Sequence, residues 1–375
     1  MNSAFYPKRP PCDPANPMPR YQQLRDWLET QIRSGALSKG DKLPAEREWA
    51  PALGVSQMTL NHAIQGLVRD GFIIREVGRG TFIADLEKPV VPAHIGLVLH
   101  WRKDSDGGHY GASMLHGIYN LAATRPAKFS FAWGAEGADP PPEYYVDLAA
   151  EMGVDGLLLV MPPAYALPQI LTLQETGLPF IVAGASWESY AIASVDFDNG
   201  TGAELAARHL LELGHRRIGI VNGATYLRSS MVRTARFQRV LEEAGIPASS
   251  SYEVTSSSFQ MDAGATRRLK ELSMSGDGPT AWFAAGYYLS MQTVEMMQSL
   301  GLHIPTDVSV VGFGDPYTAA YMNPPLTTVR HPIEALGELA TTRLLDDVAR
   351  GAQSSETDML PVEFVIREST APPRK

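Results

Sequence analysis

The sequence predicts an α/β protein: a small winged helix-turn-helix domain followed by a two-lobed body with parallel sheets. Three observations carry this. Residues 44–84 read as helix, tight turn, helix and β-hairpin. From His94 onward, short apolar runs of strand length alternate with amphipathic stretches of helix length, which is the pattern of βαβ units. The stretch 94–375 is too long for one sheet, so two similar lobes facing a cleft are expected.

In chain order, residues 1–19 carry six prolines and no periodicity, and are expected to form a mobile arm. A helix is predicted over 21–34, with Leu24, Trp27, Leu28, Gln31 and Ile32 on its buried side and Gly35 as its stop. Ser38-Lys39-Gly40-Asp41 is a turn. Pro44 suits a first helical position, where its missing N–H costs nothing. Trp49, Ala50 and Leu53 form an apolar stripe, Gly54 ends that helix, and Ser56 is the N-cap of the next. There Leu60, Ile64, Leu67 and Val68 repeat at helical spacing until Gly71. Strand-like runs 72–75 and 81–84 follow, joined through Val77-Gly78-Arg79-Gly80. Such a domain presents its second turn-linked helix to the major groove of DNA. Residues 20–85 are therefore one domain and 86–93, with two prolines, a semi-stiff linker. Strands are predicted over 95–99, 129–133, 156–160, 180–183, 217–221, 281–284 and 308–311. Helices are predicted over 111–123, 200–213, 228–244 and 289–300, among others.

Charge is uneven. The net charge is −9, yet residues 1–85 hold eleven basic against nine acidic side chains, a net of +2, which leaves −11 for the remainder. A weakly basic head on an acidic body suits site-specific DNA binding, because the body limits indiscriminate attraction to phosphate. The single cysteine, Cys12, excludes an internal disulfide framework and is read as a solvated residue of the arm. No apolar run approaches membrane-spanning length and the N-terminus lacks a signal-peptide core, so a cytoplasmic protein is expected.

Ser56, Gln57, Thr59, Asn61 and His62 lie on the polar side of the predicted recognition helix. Ser56 and Thr59 suit backbone anchoring, whereas the amides of Gln57 and Asn61 can pair with adenine. At the wing tip, Gly78 and Gly80 permit a tight turn and close approach, and Arg79 can enter a minor groove. This Gly-x-Gly is not a dinucleotide fingerprint, because it joins two strands and no helix follows.

The head, through RSGALSKGDKLPAEREWAPALGVSQMTLNHAIQGLVRDGFIIREVGRGTFIA, resembles the GntR family over about residues 20–84. The body resembles the LacI/GalR family, related to periplasmic sugar-binding proteins, over about 94–370. VDFDNGTGAELAARHLLELGHRRIGIV, PTAWFAAGYY, GLHIPTDVSVVGFGD and NPPLTTVRHPIEALGELA carry that likeness. The combination looks like the arabinose-repressor subgroup. It implies a homodimer that binds operator DNA, expected to be a repressor, and changes affinity when a small molecule enters the cleft. It also implies a first lobe of 94–195 plus 331–367 and a second of 196–330.

By the same resemblance Arg47 contacts DNA, while Gln57, Asn61 and His62 stand where arginines are usual. That departure implies a less common operator and weaker salt sensitivity. In the body, Arg233 matches an arginine that holds ligand hydroxyls and Phe259 an aromatic that stacks on sugar. Gly184, Gly286-Tyr287 and Gly314 replace expected polar groups, leaving Asp315 alone of an aspartate pair. The glycines are expected to leave room, with Trp101, Tyr110, Trp187, Tyr287 and Tyr288 crowding nearby. A substituted sugar or aromatic glycoside is the expected effector. His109, His100, Asp104 and Asp106 stand near the cleft without metal-ligand spacing, and no metal or cofactor is expected. Asp196 and Asp198 read as capping and hinge residues rather than an acid–base pair.

Three alternatives remain. One is a regulator whose cleft has lost ligand binding, and another is a plain solute-binding protein, which the head opposes. The third is an enzyme with a DNA-binding head. Against it stand the absence of a phosphate-cradling loop, of a Cys/His nucleophile pair and of a convincing Schiff-base lysine among Lys88, Lys103, Lys128, Lys270 and Lys375.

Overall fold

The computed structural model describes residues 5–7, 11–13, 16, 18–76, 78–85, 92–100, 108–122, 125, 127–135, 140–247 and 252–374. The head contains α1 (Arg20–Arg33), α2 (Glu46–Ala52), α3 (Gln57–Arg69) and a hairpin of β1 (Ile73–Glu76) with β2 (Gly80–Ile83). Helix α2 begins two residues after Pro44, with Ala45 extended at its N-cap. Gly54 makes the turn at φ +69°, a conformation that costs glycine nothing. The Ser56 Oγ then caps α3 by accepting the Thr59 N–H at 3.1 Å. Leu24 and Leu28 of α1, Trp49, and Leu60, Ile64 and Leu67 of α3 close one core with Ile73 and Ile83 of the hairpin. The strands pair antiparallel, Ile73 opposite Ile83 and Glu76 opposite Gly80.

The described part of the arm corrects the expectation of a mobile tail. Phe5 is buried edge-on against Trp49 at 5.7 Å, and its carbonyl accepts the Trp49 Nε1–H at 2.7 Å. Cys12 is buried, its Sγ 3.4 Å from the Arg20 carbonyl. Gln23 accepts the Asp13 N–H and donates to the Met18 carbonyl. The reason is a buried indole N–H and a buried amide that need partners, which the arm's backbone supplies. Linker residues 86–91 lie outside the described residues.

The body follows as β3 (Ala93–Leu99), α4 (Gly108–Ala122), β4 (Ala127–Trp133), α5 (Tyr144–Met152), β5 (Gly156–Val160), α6 (Leu167–Glu175), β6 (Phe180–Ala183) and β7 (Ser194–Phe197). It continues through α7 (Asn199–Glu212), β8 (Ile218–Asn222), α8 (Arg228–Glu243), β9 (Glu253–Thr255), α9 (Ala263–Ser273), β10 (Ala281–Ala284) and α10 (Tyr287–Ser299). It ends with β11 (Ser309–Phe313), β12 (Thr327–Arg330), α11 (Ile333–Arg350), β13 (Thr357–Leu360) and β14 (Glu363–Val365). These strands form two six-stranded sheets, ordered β13-β7-β6-β5-β3-β4 and β14-β12-β11-β10-β8-β9. The pairs β5·β6, β6·β7, β7·β13, β8·β9, β8·β10, β10·β11 and β11·β12 are parallel, and β12·β14 is antiparallel. Central strands such as GLLLV, IGIVN and SVVGF are buried throughout, as sheets covered on both faces require.

Among the described residues the chain passes between the sheets three times: after β7, after β12 and between β13 and β14. The sequence-based division placed these crossings at 195, 330 and 367. Asp196 and Phe197 in fact finish a strand of the first sheet, and residues 363–365 already belong to the second. No helix of the described residues is long and apolar enough to cross a membrane.

Candidate functional site

The head presents α3 and the wing. Arg47, Gln57, Met58 and His62 are exposed, and Thr59 and Asn61 partly so. Two of the side chains expected to read bases are already engaged. The Asn61 amide donates to Glu46 Oε2 at 2.9 Å, while Arg75 occupies the other oxygen of that carboxylate at 3.0 Å. The His62 ring stacks on Tyr21 at 4.0 Å, the two planes nearly parallel. Ser56 and Thr59 share a 2.8 Å hydroxyl bond as part of the cap. Glu46 is committed elsewhere, and no ion pair of the described residues involves Arg47. At the wing tip Gly78 takes φ +73° and Gly80 φ +126°, and Arg79 pairs with Glu76 at 2.6 Å. Met58, 82% exposed, was not singled out in the sequence, because an apolar residue on a helix reads by default as core.

In the body, the ends of the strands frame a cavity of about 690 Å³. Its wall takes Met161 after β5, Gly184 after β6, Asp196 and Phe197 of β7, Gly223 after β8, Ala285 and Gly286 after β10, and Phe313 and Gly314 at β11. Ligands of open parallel sheets sit beyond the carboxyl ends of the strands. Met161 holds φ +51°, a conformation an L side chain rarely adopts, as it lines this space.

Arg233, on the second turn of α8, is fixed on three sides. Its Nε–H donates to Asn199 Oδ1 at 2.8 Å, its Nη1–H donates to the Ala285 carbonyl at 2.9 Å, and its Cζ lies 3.7 Å over the Phe313 ring. The Asn199 amide in turn donates to Asp196 Oδ1 at 3.2 Å. Asp196 also accepts the Phe197 N–H at 2.8 Å and the Ser186 hydroxyl at 3.1 Å. Arg233 and Asp196 thus communicate through one amide and form no ion pair. Burial pushes the Asp196 carboxyl up to about 6, against the pull of these donors, and Arg233 down to about 10. His331 sits among Phe197, Phe313 and Tyr110, with ring centroids at 4.7, 5.5 and 6.1 Å. Burial, then Arg233 and His109, push it down to about 3, so it is neutral, and its buried Nδ1 has no hydrogen-bond partner among the described residues. The wall therefore combines a donor fork, a carboxylate and a neutral imidazole with aromatic faces.

Of the residues expected at the effector site, His109, Tyr110, Arg233, Phe259 and Tyr287 line this cavity together, with Tyr288. The Tyr287 hydroxyl is bonded to Thr318 at 2.8 Å. Trp187 does not line it: it is buried in the core of the first sheet with Ile170, Leu173 and Phe180. Asp315 does not line it either. Its carboxylate is 2% exposed and accepts from Arg330 Nε at 2.8 Å and from Arg367 Nη1 and Nη2 at 2.8 and 2.9 Å. Two arginines brought in by the strand crossings neutralise it, which sequence spacing does not reveal. Trp101, Asp104 and Asp106 lie outside the described residues. His100 is tied to the Val160 carbonyl and the Tyr145 hydroxyl.

The expectation that glycines leave room also needs correction. A methyl group at Gly184 would lie 2.6 Å from the Tyr110 hydroxyl, and one at Gly314 3.1 Å from Tyr287 Cβ, so tyrosines fill both spaces. Only Gly286 faces open space, with nothing nearer than Leu289 at 3.8 Å. Asp196 is the residue whose role was misread: Asp198 caps α7 through the Thr201 N–H at 2.8 Å, whereas Asp196 faces the cavity. Strand alternation within VDFDN sends residues 196 and 198 to the same side and does not separate them; the available signal was the Asp-x-x-Thr spacing of an N-cap, which assigns Asp198 alone to the start of α7. Among the described residues no group of three His, Cys, Asp or Glu side chains could hold a metal ion.

Comparison with known proteins agrees with this architecture. Residues 207–370 match the periplasmic binding protein-like domain, and residues 20–83 match the bacterial regulatory proteins of the gntR family. The HTH-type transcriptional repressor PurR of Escherichia coli O1:K1 / APEC is 30% identical over 229 residues, covering 60% of this chain and 66% of that repressor. A LacI family transcriptional regulator from Enterococcus faecium, solved with bound ribose, aligns with TM-score 0.61 at 26% identity, over 75% of this chain and 100% of that one. A LacI family transcriptional regulator from Mycobacterium smegmatis aligns with TM-score 0.62 at 26% identity over the same shares. The chain thus joins a head that matches the gntR family to a body that matches the periplasmic binding protein-like domain and is similar to that of LacI-family regulators.

Proposed function

We propose that this protein is a homodimeric, sequence-specific DNA-binding transcription regulator, acting as a repressor. Its operator affinity is set by a small molecule, a sugar or sugar derivative, held in the body's cavity. The observation that carries the reading is the Arg233–Asn199–Asp196 chain beside the unpartnered His331 Nδ1, in a cavity of about 690 Å³. Donors and acceptors held in fixed directions within aromatic walls suit a compact polyol, whose ring face packs while its hydroxyls bond. Ribose in the E. faecium regulator supports a carbohydrate-related ligand. The open space at Gly286 leaves room for a substituent on such a sugar.

The mechanism is a population shift. Two heads engage two half-sites when the lobes take one angle, and a ligand that prefers another angle changes head spacing. The reading is of a binding protein in the cytoplasm and not of an enzyme. The test is calorimetry of the full chain against a panel of sugars and glycosides, followed by anisotropy titration of labelled operator with and without the binder. A ligand that binds yet leaves operator affinity unchanged would sink the regulatory reading. The second reading, a cleft that takes no ligand, predicts no binder in any panel, and the volume of the cavity speaks against it.

A further inference from the structure

The geometry of the head points to Met58 as a base-reading residue that recognises a thymine through its 5-methyl group. This rests on the proposed DNA-binding role of α3. Met58 is the second residue of α3 and 82% exposed, while Leu60, Ala63, Ile64 and Leu67 turn the opposite face into the core. Two polar neighbours that would otherwise dominate readout are spent within the head, Asn61 on Glu46 and His62 on Tyr21. Among the described residues, what remains free on the first turn is Gln57 and Met58, with the exposed Arg47 on the preceding helix. The first turn of a recognition helix is the part that reaches base edges. An unbranched thioether there has no hydrogen bond to offer a base, and the thymine methyl is the apolar group of the major groove. An exposed Met58 thus becomes useful on DNA by covering that methyl.

The full-length protein is used to select sites from randomised duplexes, and the position whose preference changes between the parent and Met58→Ala is identified. Thymine at that position is then replaced by uracil, which removes the methyl and nothing else. The parent is expected to select thymine there and to bind the uracil duplex roughly fourfold more weakly, the factor for one buried methyl-sized group. Met58→Ala is expected to bind both alike. Met58 contributes nothing to the core, so the variant should melt with the parent. Equal binding of both duplexes by the parent, or a thymine preference that survives in Met58→Ala, overturns the proposal. So does a Met58→Ala variant with altered sedimentation and unaltered selection, which would seat Met58 on a second copy of the chain. Failure to select any sequence would instead overturn the DNA-binding reading on which the proposal stands.

Discussion

Replacing Asp196 by asparagine tests the electrostatic account of the cavity. The carboxyl is 4% exposed, and burial raises its pKa from 3.8 to about 6. Between those values the folded protein keeps a proton that the unfolded chain has released, so stability falls as pH rises from 4 to 6 and the full penalty stands above 6. A shift of about two units corresponds to roughly 3 kcal/mol. Asparagine keeps the shape and an acceptor for the Phe197 N–H, but it carries no charge. Arg233, at about 10, stays charged across this range and its pull is already contained in the Asp196 value of about 6, so the assay reads the part of the shift that develops between pH 4 and 7. The unfolding free energy of Asp196→Asn relative to the parent is therefore expected to climb by about 2 kcal/mol from pH 4 to pH 7. Taking the difference cancels His331 and His100. Their pKa values, depressed to about 3 and about 4, make both proteins lose stability as pH falls below 6.5. The assay is equilibrium urea unfolding across pH 4–7, followed by tryptophan fluorescence, with Trp187 and Trp282 buried in the two sheets. A difference that is flat or falls with pH would mean that the carboxylate is stabilised where it stands, and the account of the wall would be wrong.

Arg233→Ala should remove the donor fork and take the donor from Asn199 Oδ1 and from the Ala285 carbonyl, weakening effector binding by at least about tenfold in calorimetry; unchanged affinity would place the ligand elsewhere. Gly184→Ala should destabilise the body by at least about 1–2 kcal/mol, because φ there is +80° and the methyl would meet Tyr110. A melting temperature equal to the parent's would show that this wall yields. In the head, Gln57→Ala should broaden the bases selected from randomised DNA, whereas His62→Ala should leave them unchanged, since His62 is stacked on Tyr21. The reverse ranking would show that the contacts of the free head do not survive on DNA.

Much of the fold was legible because its signals are local. Ser56 caps α3, the turn lies at Gly54, and the apolar runs of the body are the buried strands. Strands β7 and β12, SVDF and TTVR, were not legible as strands, because they carry polar residues that are satisfied only by partners elsewhere. Thr328, for example, donates to the Gly314 carbonyl, and Thr327 N–H donates to Ser369. The arm misled for a related reason. Prolines argue for disorder, but the buried Trp49 N–H needed an acceptor and Phe5 provides it.

The sequence by itself determined the two domain types, the helix-turn-helix frame, the α/β pattern and the candidacy of Arg233, His109, Tyr110, Phe259 and Tyr287, since periodicity, turn residues and motif likeness all lie along the chain. The tertiary structure decided which side chains are free. It turned Asp315 onto Arg330 and Arg367, buried Trp187, occupied Asn61 and His62, and left Asp196 and His331 facing the cavity. The physical reason is that a side chain's availability depends on partners distant in sequence. Asp315 and Arg367 stand 52 residues apart, and no local pattern can show that one neutralises the other.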